Sequence, residues 1–197
     1  MMKVGITGGI GSGKSTVCRL FRERGIPVYD SDAEAKRLMQ EDAALRQRIA
    51  ARFGAETYRD GRLDRARLAE RVFGDAEELS ALNALVHPAV MADFARWSDS
   101  QQAPYVVLES AILFEAGLEH AVQRTVAVLA PEALRIERTC RRDGTDAEAV
   151  RRRIAAQMDD DTRSRRADVS IVNILEEDLA PAVAELDRRF RYEAAHA

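Results

Sequence analysis

Short apolar runs separated by longer amphipathic stretches set the rhythm of this chain. Lys3–Thr7 (KVGIT) is short, rich in β-branched residues and followed by a glycine cluster, a pattern that predicts a buried strand. From about Lys14 the chain reads as a helix, and this ends near Arg24, where Gly25 supplies a normal C-terminal stop. Ile26-Pro27-Val28-Tyr29 predicts a second short strand that runs into Asp30-Ser31-Asp32. Beyond it Leu38, Leu45, Ile49 and Phe53 recur at helical spacing, and Tyr58-Arg59-Asp60-Gly61 predicts a turn. Leu68 with Val72, and Leu79 with Leu82 and Val86, mark two further helices, and another is predicted after Pro88 with Val90, Phe94 and Trp97 on one face. This stretch shows no convincing strand and reads as a helical insertion.

Strand character returns at Tyr105–Leu108 (YVVL) and Thr125–Leu129 (TVAVL). Pro131 opens an arginine-rich helical stretch to about Arg166, Val169–Val172 (VSIV) is the last strand, and a final helix carries Leu179, Val183, Leu186 and Phe190 on its buried face. Strands alternating with helices predict an α/β fold with a five-stranded, mainly parallel sheet covered on both faces.

Composition changes this picture little. At 46% hydrophobic and 32% charged residues the chain has an ordinary soluble composition, and its net charge of −3 gives no overall pull toward nucleic acid or an anionic membrane. No apolar run approaches the roughly 20 residues that span a bilayer. The N-terminus runs directly into a strand and a glycine loop, so it is not read as a signal peptide. Cys18 and Cys140 form no C-x-x-C and are expected to be reduced thiols in a cytoplasmic protein. All but three of the 30 basic residues are Arg, so arginine clusters are partly background, whereas a Lys inside a glycine loop stands out.

That Lys is Lys14, in Gly8-Gly9-Ile10-Gly11-Ser12-Gly13-Lys14-Ser15, a full G-x-x-x-x-G-K-S with Thr16 after it, a strand before and a helix behind. Glycines let backbone N–H groups turn inward into a nest for the β-phosphate, aided by the helix N-terminus. Lys14 can span the β- and γ-phosphates, and the Ser15 hydroxyl can ligate Mg²⁺. The pattern specifies nucleoside triphosphate binding without naming the reaction. A GTPase would need N-K-x-D, yet Asn83 and Asn173 are followed by Ala and Ile; no D-x-x-G or S-G-G-Q occurs. The second strand instead brings Asp30 and Asp32 to the C-terminal edge of the sheet, where ligands bind in such folds. Core, helical insertion and arginine-rich lid are the plan of a small-molecule kinase.

The order of motifs resembles the dephospho-CoA kinase family over nearly the whole chain. It includes TGGIGSGKST (Thr7–Thr16), GIPVYDSDAEA (Gly25–Ala35), DGRLDRARLAERVF (Asp60–Phe73) and LNALVHPAV (Leu82–Val90). It continues through ILFEAGL (Ile112–Leu118), ERTCRRDG (Glu137–Gly144), RIAAQM (Arg153–Met158) and ADVSIVN (Ala167–Asn173). The chain departs from the family pattern at Ala111, at Glu109 and at Ile174-Leu175. The resemblance implies a P-loop fold like that of nucleoside monophosphate kinases. Its core would be 1–34, 103–135 and 167–197, with a helical acceptor-binding domain at 35–102 and a lid at 136–166.

The resemblance further implies transfer of the γ-phosphate of Mg·ATP to the ribose 3′-hydroxyl of dephospho-CoA. Asp32 would be the catalytic carboxylate, with Lys14, Arg138 and Arg142 offsetting phosphoryl charge. ATP would be held by Gly9, Ile10, Gly11, Ser12, Gly13, Lys14, Ser15, Thr16 and Asn173. Ser15, and Glu109 through a water, would serve Mg²⁺. The bland alternative is that Asp30 or Asp32 caps the helix expected near Ala33; Asp32 is assigned to catalysis, and Asp30 or Ser31 to the cap. Arg135, Arg138 and Arg142 share one helix face, which is either a phosphate-facing or a solvated surface. His87 either touches the acceptor or caps the helix at Pro88. Arg151, Arg152, Arg163, Arg165 and Arg166 are expected in solvent, and Asp159–Asp161 as solvated charge rather than a metal cluster. Two other uses stay open on the residues alone: a kinase for another small acceptor, and a nucleotide-binding regulator. A nucleic-acid-acting protein fits the mild acidity poorly.

Overall fold

Residues Met2–Thr7 form β1, flanked on one side by β5 (Tyr105–Glu109) and on the other by β6 (Arg124–Leu129). The computed structural model describes residues 1–72 and 74–196; Phe73, which closes the Asp60–Phe73 motif, and Ala197 lie outside the described residues. With β2 (Val28–Asp30) beside β5 and β7 (Val169–Val172) beside β6, the sheet order is β2-β5-β1-β6-β7, and every pairing is parallel. Parallel pairing brings all carboxyl ends to one edge. There Ile6 of β1 and Asp30 of β2 both stand in register with Glu109 of β5.

The strands read as near-continuous apolar runs because both faces are covered, and all five residues of β5 are buried. On one side α1 (Lys14–Glu23) contributes Val17, Cys18 and Phe21, and the C-terminal helix α9 (Leu179–Ala195) contributes Leu179, Val183, Leu186 and Phe190. Phe21 and Phe190 meet the ring of Tyr105 edge-on, at centroid distances of 6.4 and 5.6 Å. Each such fully buried side chain contributes about 1.5–3 kcal/mol. The Tyr105 hydroxyl donates to Asp187 at 2.8 Å, and Arg191 donates to the same carboxylate at 2.9 Å. Burial, then that carboxylate, holds the phenol well above its ordinary pKa.

The chain divides into two compact units, Met1–Asp30 with Ser98–Ala197, and Ser31–Trp97. Within the second lie α2 (Ser31–Glu41), α3 (Ala43–Phe53), α4 (Arg65–Val72) and most of α5 (Ala76–Asp99). Leu38, Leu45, Ile49, Phe53, Leu68, Val86, Val90 and Phe94 are buried here. Two expectations are corrected. The segment does contain strands: β3 (Tyr58–Arg59) and β4 (Arg62–Leu63) pair as a hairpin whose central residues, Asp60 and Gly61, both have positive φ (49° and 76°). That is the twist a two-residue hairpin loop requires, and two-residue strands are too short to show a period. The second correction concerns Pro88, which lies inside α5 rather than at a helix start. It has no N–H for the carbonyl of Ala84, a cost of about 3 kcal/mol, and the buried side chains of Val86, Val90 and Phe94 on either side hold the helix together.

The arginine-rich stretch is three helices, α6 (Glu132–Asp143), α7 (Ala147–Ala155) and α8 (Asp160–Arg166). Gly144 ends α6 in a left-handed conformation. Asp146 and Asp159 cap the next two, accepting from Ala149 N–H at 2.8 Å and Thr162 N–H at 2.7 Å. Those bonds favour the ionised carboxylates and hold both pKa values below the ordinary Asp value.

Candidate active site

The loop between β1 and α1 is closed by hydrogen bonds from Ser12 N–H to Gly9 C=O (3.0 Å) and from Val17 N–H to Gly13 C=O (3.1 Å). Gly11 and Gly13 have φ of 76° and 93°, and their surroundings exclude a side chain as firmly as their backbones do. A Cβ on Gly11 would stand 2.3 Å from the Arg135 carbonyl oxygen, and one on Gly13 would stand 2.0 Å from Asn173 Nδ2. Among the described residues no side chain caps α1, and its first turn holds no acid, which leaves its positive end to an anion.

Glu109 is the centre of the site's charge. It is 3% exposed, accepts from Lys14 Nζ at 2.7 Å and from the Ser15 hydroxyl at 3.3 Å, and lies 3.7 Å from Arg22. A buried carboxylate is tolerable only with such partners. Desolvation, followed by Glu109's charge, raises the pKa of the buried thiol of Cys18 well above its ordinary value. Cys18 and Cys140 are both free.

A hydroxyl and a carboxylate side by side next to a phosphate nest are hard oxygen donors suited to Mg²⁺. Among the described residues no group of three or more His, Cys, Asp or Glu could cage a metal. Ser15 and Glu109, two adjacent oxygen donors, fit a cation that takes its other ligands from phosphates and water.

Asn173, directly after β7, is buried and braces the loop: its Nδ2 donates to Ser12 C=O at 2.8 Å, while its N–H donates to Leu129 C=O at 2.7 Å. Arg138 donates to the carbonyls of Asn173 (3.2 Å) and Ile174 (3.0 Å), so it lies beside the exposed Ile174-Leu175 turn. Arg142 is largely exposed and held by Asp143, through Nε at 2.6 Å and Nη2 at 3.1 Å. Arg153 joins the same carboxylate at 3.0 Å, and the two arginines depress the Asp143 pKa to about 2.

The three arginines spaced along one face of α6 thus have different surroundings. Arg135 is 4% exposed and donates from Nε to Ile10 C=O at 2.9 Å and from Nη1 to Asp160 at 3.0 Å. Arg163, expected in solvent, is fully buried; its Nη1 donates to Asp160 at 2.6 Å. Asp160 therefore serves as a bridge between arginines rather than as solvated charge. The spacing along α6 offers Arg135 only a phosphate-facing or a solvated surface, and neither describes its place against the Ile10 carbonyl and Asp160. Gln157, given no role by the sequence, lies within the RIAAQM motif.

Asp32 and His87 belong to the Ser31–Trp97 unit. Asp32 is exposed on the first turn of α2, two residues past the β2 end that stands in register with Glu109. The helix starts at Ser31, ahead of the expected Ala33. His87 is half-buried in mid-α5 and so caps no helix; burial lowers its pKa from the ordinary 6.5.

A model of the family described as dephospho-CoA kinase matches residues 2–177. The chain belongs to the dephospho-CoA kinase family. It is 39% identical over 196 residues to the dephospho-CoA kinase of Bacteroides fragilis strain YCH46, covering 99% of this chain and 95% of that one. A crystal structure from Thermus thermophilus superposes with a TM-score of 0.83 at 39% identity, covering 95% and 97% of the two chains. Shikimate kinase from Acinetobacter baumannii, in complex with shikimate, shares the fold at a TM-score of 0.57 and 19% identity, covering 96% and 94%. As a member of this family the chain is a P-loop kinase, a transferase of the last step of coenzyme A synthesis, and its substrates are small molecules. No described helix is long and apolar enough to cross a membrane.

Proposed function

We propose that this chain moves the γ-phosphoryl of Mg·ATP to the ribose 3′-hydroxyl of dephospho-CoA with the residues gathered at the carboxyl edge of the sheet, in the cytoplasm. The observation that carries the assignment is the cluster of Lys14, Ser15 and Glu109 beside an uncapped helix end. Gly9, Ile10, Gly11, Ser12, Gly13, Lys14, Ser15 and Thr16 form the cradle for the phosphates, with Asn173 supporting the loop. Ser15 would hold Mg²⁺ directly and Glu109 through water, and the cation would supply charge neutralisation for the transferred phosphoryl. Lys14, kept at the loop by its ion pair with Glu109, offers its ammonium to the β- and γ-phosphate oxygens.

Asp32 accepts the proton of the 3′-hydroxyl as that oxygen bonds to phosphorus, while the bond to the bridging oxygen breaks and ADP leaves. Such a loose transition state asks mainly for a positioned nucleophile and compensated charge, which Arg138 and Arg142 extend from the lid at 136–166. The helical segment at 35–102, His87 included, receives the coenzyme. No nucleic acid partner is assigned.

A coupled ADP-release assay compares dephospho-CoA with AMP, shikimate and no acceptor, and runs Asp32→Asn alongside. Turnover with dephospho-CoA alone, reduced about 10²- to 10⁴-fold in the variant, is expected for loss of a general base. Turnover with another acceptor, or an unimpaired variant, would overturn the substrate or the base respectively.

A further inference from the structure

We propose that Arg135 and Gln157 are positioning residues that together clamp the Ile10 peptide and so hold the phosphate loop in its receiving shape. Ile10 is tied on both sides. Its N–H donates to Gln157 Oε1 at 2.9 Å, and its carbonyl accepts from Arg135 Nε at 2.9 Å. The two side chains come from different segments, α6 and the turn ahead of α8.

The clamp is itself anchored. Asp160 takes Arg135 Nη1 on one oxygen (3.0 Å) and Arg163 Nη1 on the other (2.6 Å). Arg163 Nη2 stands 3.7 Å from Glu115, and Glu115 accepts the Met158 N–H at 3.2 Å. Two arginines almost without solvent exposure are thereby fixed in a chain of charges that runs from the loop to the 158–160 turn.

The arrangement carries a cost that packing alone does not explain. Arg135 Nη2 is buried without a hydrogen-bond partner, and so are Nε and Nη2 of Arg163. Nη2 of Arg135 stands so close to Gly9 that a Cβ there would come within 2.2 Å of it. A buried polar group without a partner calls for an explanation. The loop's composition supplies one. Four glycines make it conformationally loose, yet a nest works only when its N–H groups point inward and its carbonyls outward. Arg135 takes one outward carbonyl and Gln157 fixes the adjoining peptide, so the loop's order is set before ATP arrives.

This inference rests on Gly8–Ser15 as the ATP cradle, and the test separates the two. Full-length Arg135→Met, Arg135→Lys and Gln157→Ala are compared with wild type by steady-state kinetics in both substrates and by the rise in Tm on adding Mg·ATP. The expected result is a fall in kcat/KM for ATP of about 10- to 100-fold in Arg135→Met, with the KM for dephospho-CoA within about twofold of wild type. Gln157→Ala falls in the same direction, the ATP-induced rise in Tm shrinks in both, and Arg135→Lys, which keeps a charge for Asp160, lies between. Lower stability of the ligand-free variants with an undiminished ATP-induced rise and unchanged ATP kinetics would overturn the clamp, leaving Arg135 as structure only. Should Arg135→Met not fold, an unaffected Gln157→Ala overturns it equally. Wild type showing no ATP-induced rise would overturn the cradle itself.

Discussion

The two units of this chain are built on different materials. Among the described residues, the buried charged side chains Glu109, Arg135, Arg163 and Asp187 all lie in the sheet unit, each paired. In Ser31–Trp97 the buried polar positions are Ser31 and Thr57, and the rest of the buried set is apolar. Ion pairs there, such as Arg37 with Asp93 at 2.7 Å and Arg52 with Glu78 at 2.7 Å, are partly exposed. A phosphate site needs charge fixed in low dielectric, where it acts strongly and reorganises little. In the Ser31–Trp97 unit apolar packing provides shape without the desolvation penalty of buried ions. Among the described residues, the cost of buried charge is concentrated in the unit that carries the glycine loop.

Substitutions in the two units should therefore fail in different ways. The largest effect is expected for Lys14→Met, which removes the cation of the phosphate loop and leaves buried Glu109 with the Ser15 hydroxyl at 3.3 Å and Arg22 at 3.7 Å. Turnover should fall about 10²- to 10³-fold, measured by ADP release at saturating ATP. Retention of more than a tenth of wild-type turnover would break the claim that fixed charge dominates this unit. Phe94→Ala, in the helical unit, should lose about 3–5 kcal/mol of stability by urea unfolding while leaving the KM for ATP unchanged. A rise in ATP KM comparable to that of the sheet-unit variants would erase the contrast.

The smallest effect concerns His87, a half-buried titratable group of mid-α5. Its folded pKa lies below the unfolded 6.5, so below that pH the unfolded chain binds more protons. Its contribution is complete above about pH 6.5 and is lost as pH falls through the folded value. His87→Asn should flatten the acid limb of a Tm–pH profile between about pH 7 and 5.5. An unchanged limb would show that burial at this position is energetically silent.

Much of the sheet unit was legible beforehand because its signals are local or strictly periodic. The β-branched runs, the glycine loop and the spacing of Leu179, Val183, Leu186 and Phe190 each need only a few neighbours to be read. In the helical unit, Asp60-Gly61 announced a turn, but strands of two residues carry no alternation to detect. Pro88 looked like a boundary because a missing N–H is a local defect, whereas the packing that carries α5 through it is not local. Arg135, Arg138 and Arg142 shared a face by spacing alone. Which of them would be buried under the loop, bound to carbonyls or left with Asp143 depended on what lay opposite each one.

By itself the sequence determined a parallel α/β fold, a phosphate loop and the kinase family, since these follow from backbone conformation, hydrophobic period and ordered motifs. Only the tertiary structure decided the partners of the charges: Glu109 with Lys14, Asn173 behind Gly13, and Arg135 and Arg163 on either side of Asp160. The reason is physical. A charged side chain has nearly the same local preferences buried or exposed, and its fate is set by whether residues tens of positions away bring an opposite charge within hydrogen-bonding reach.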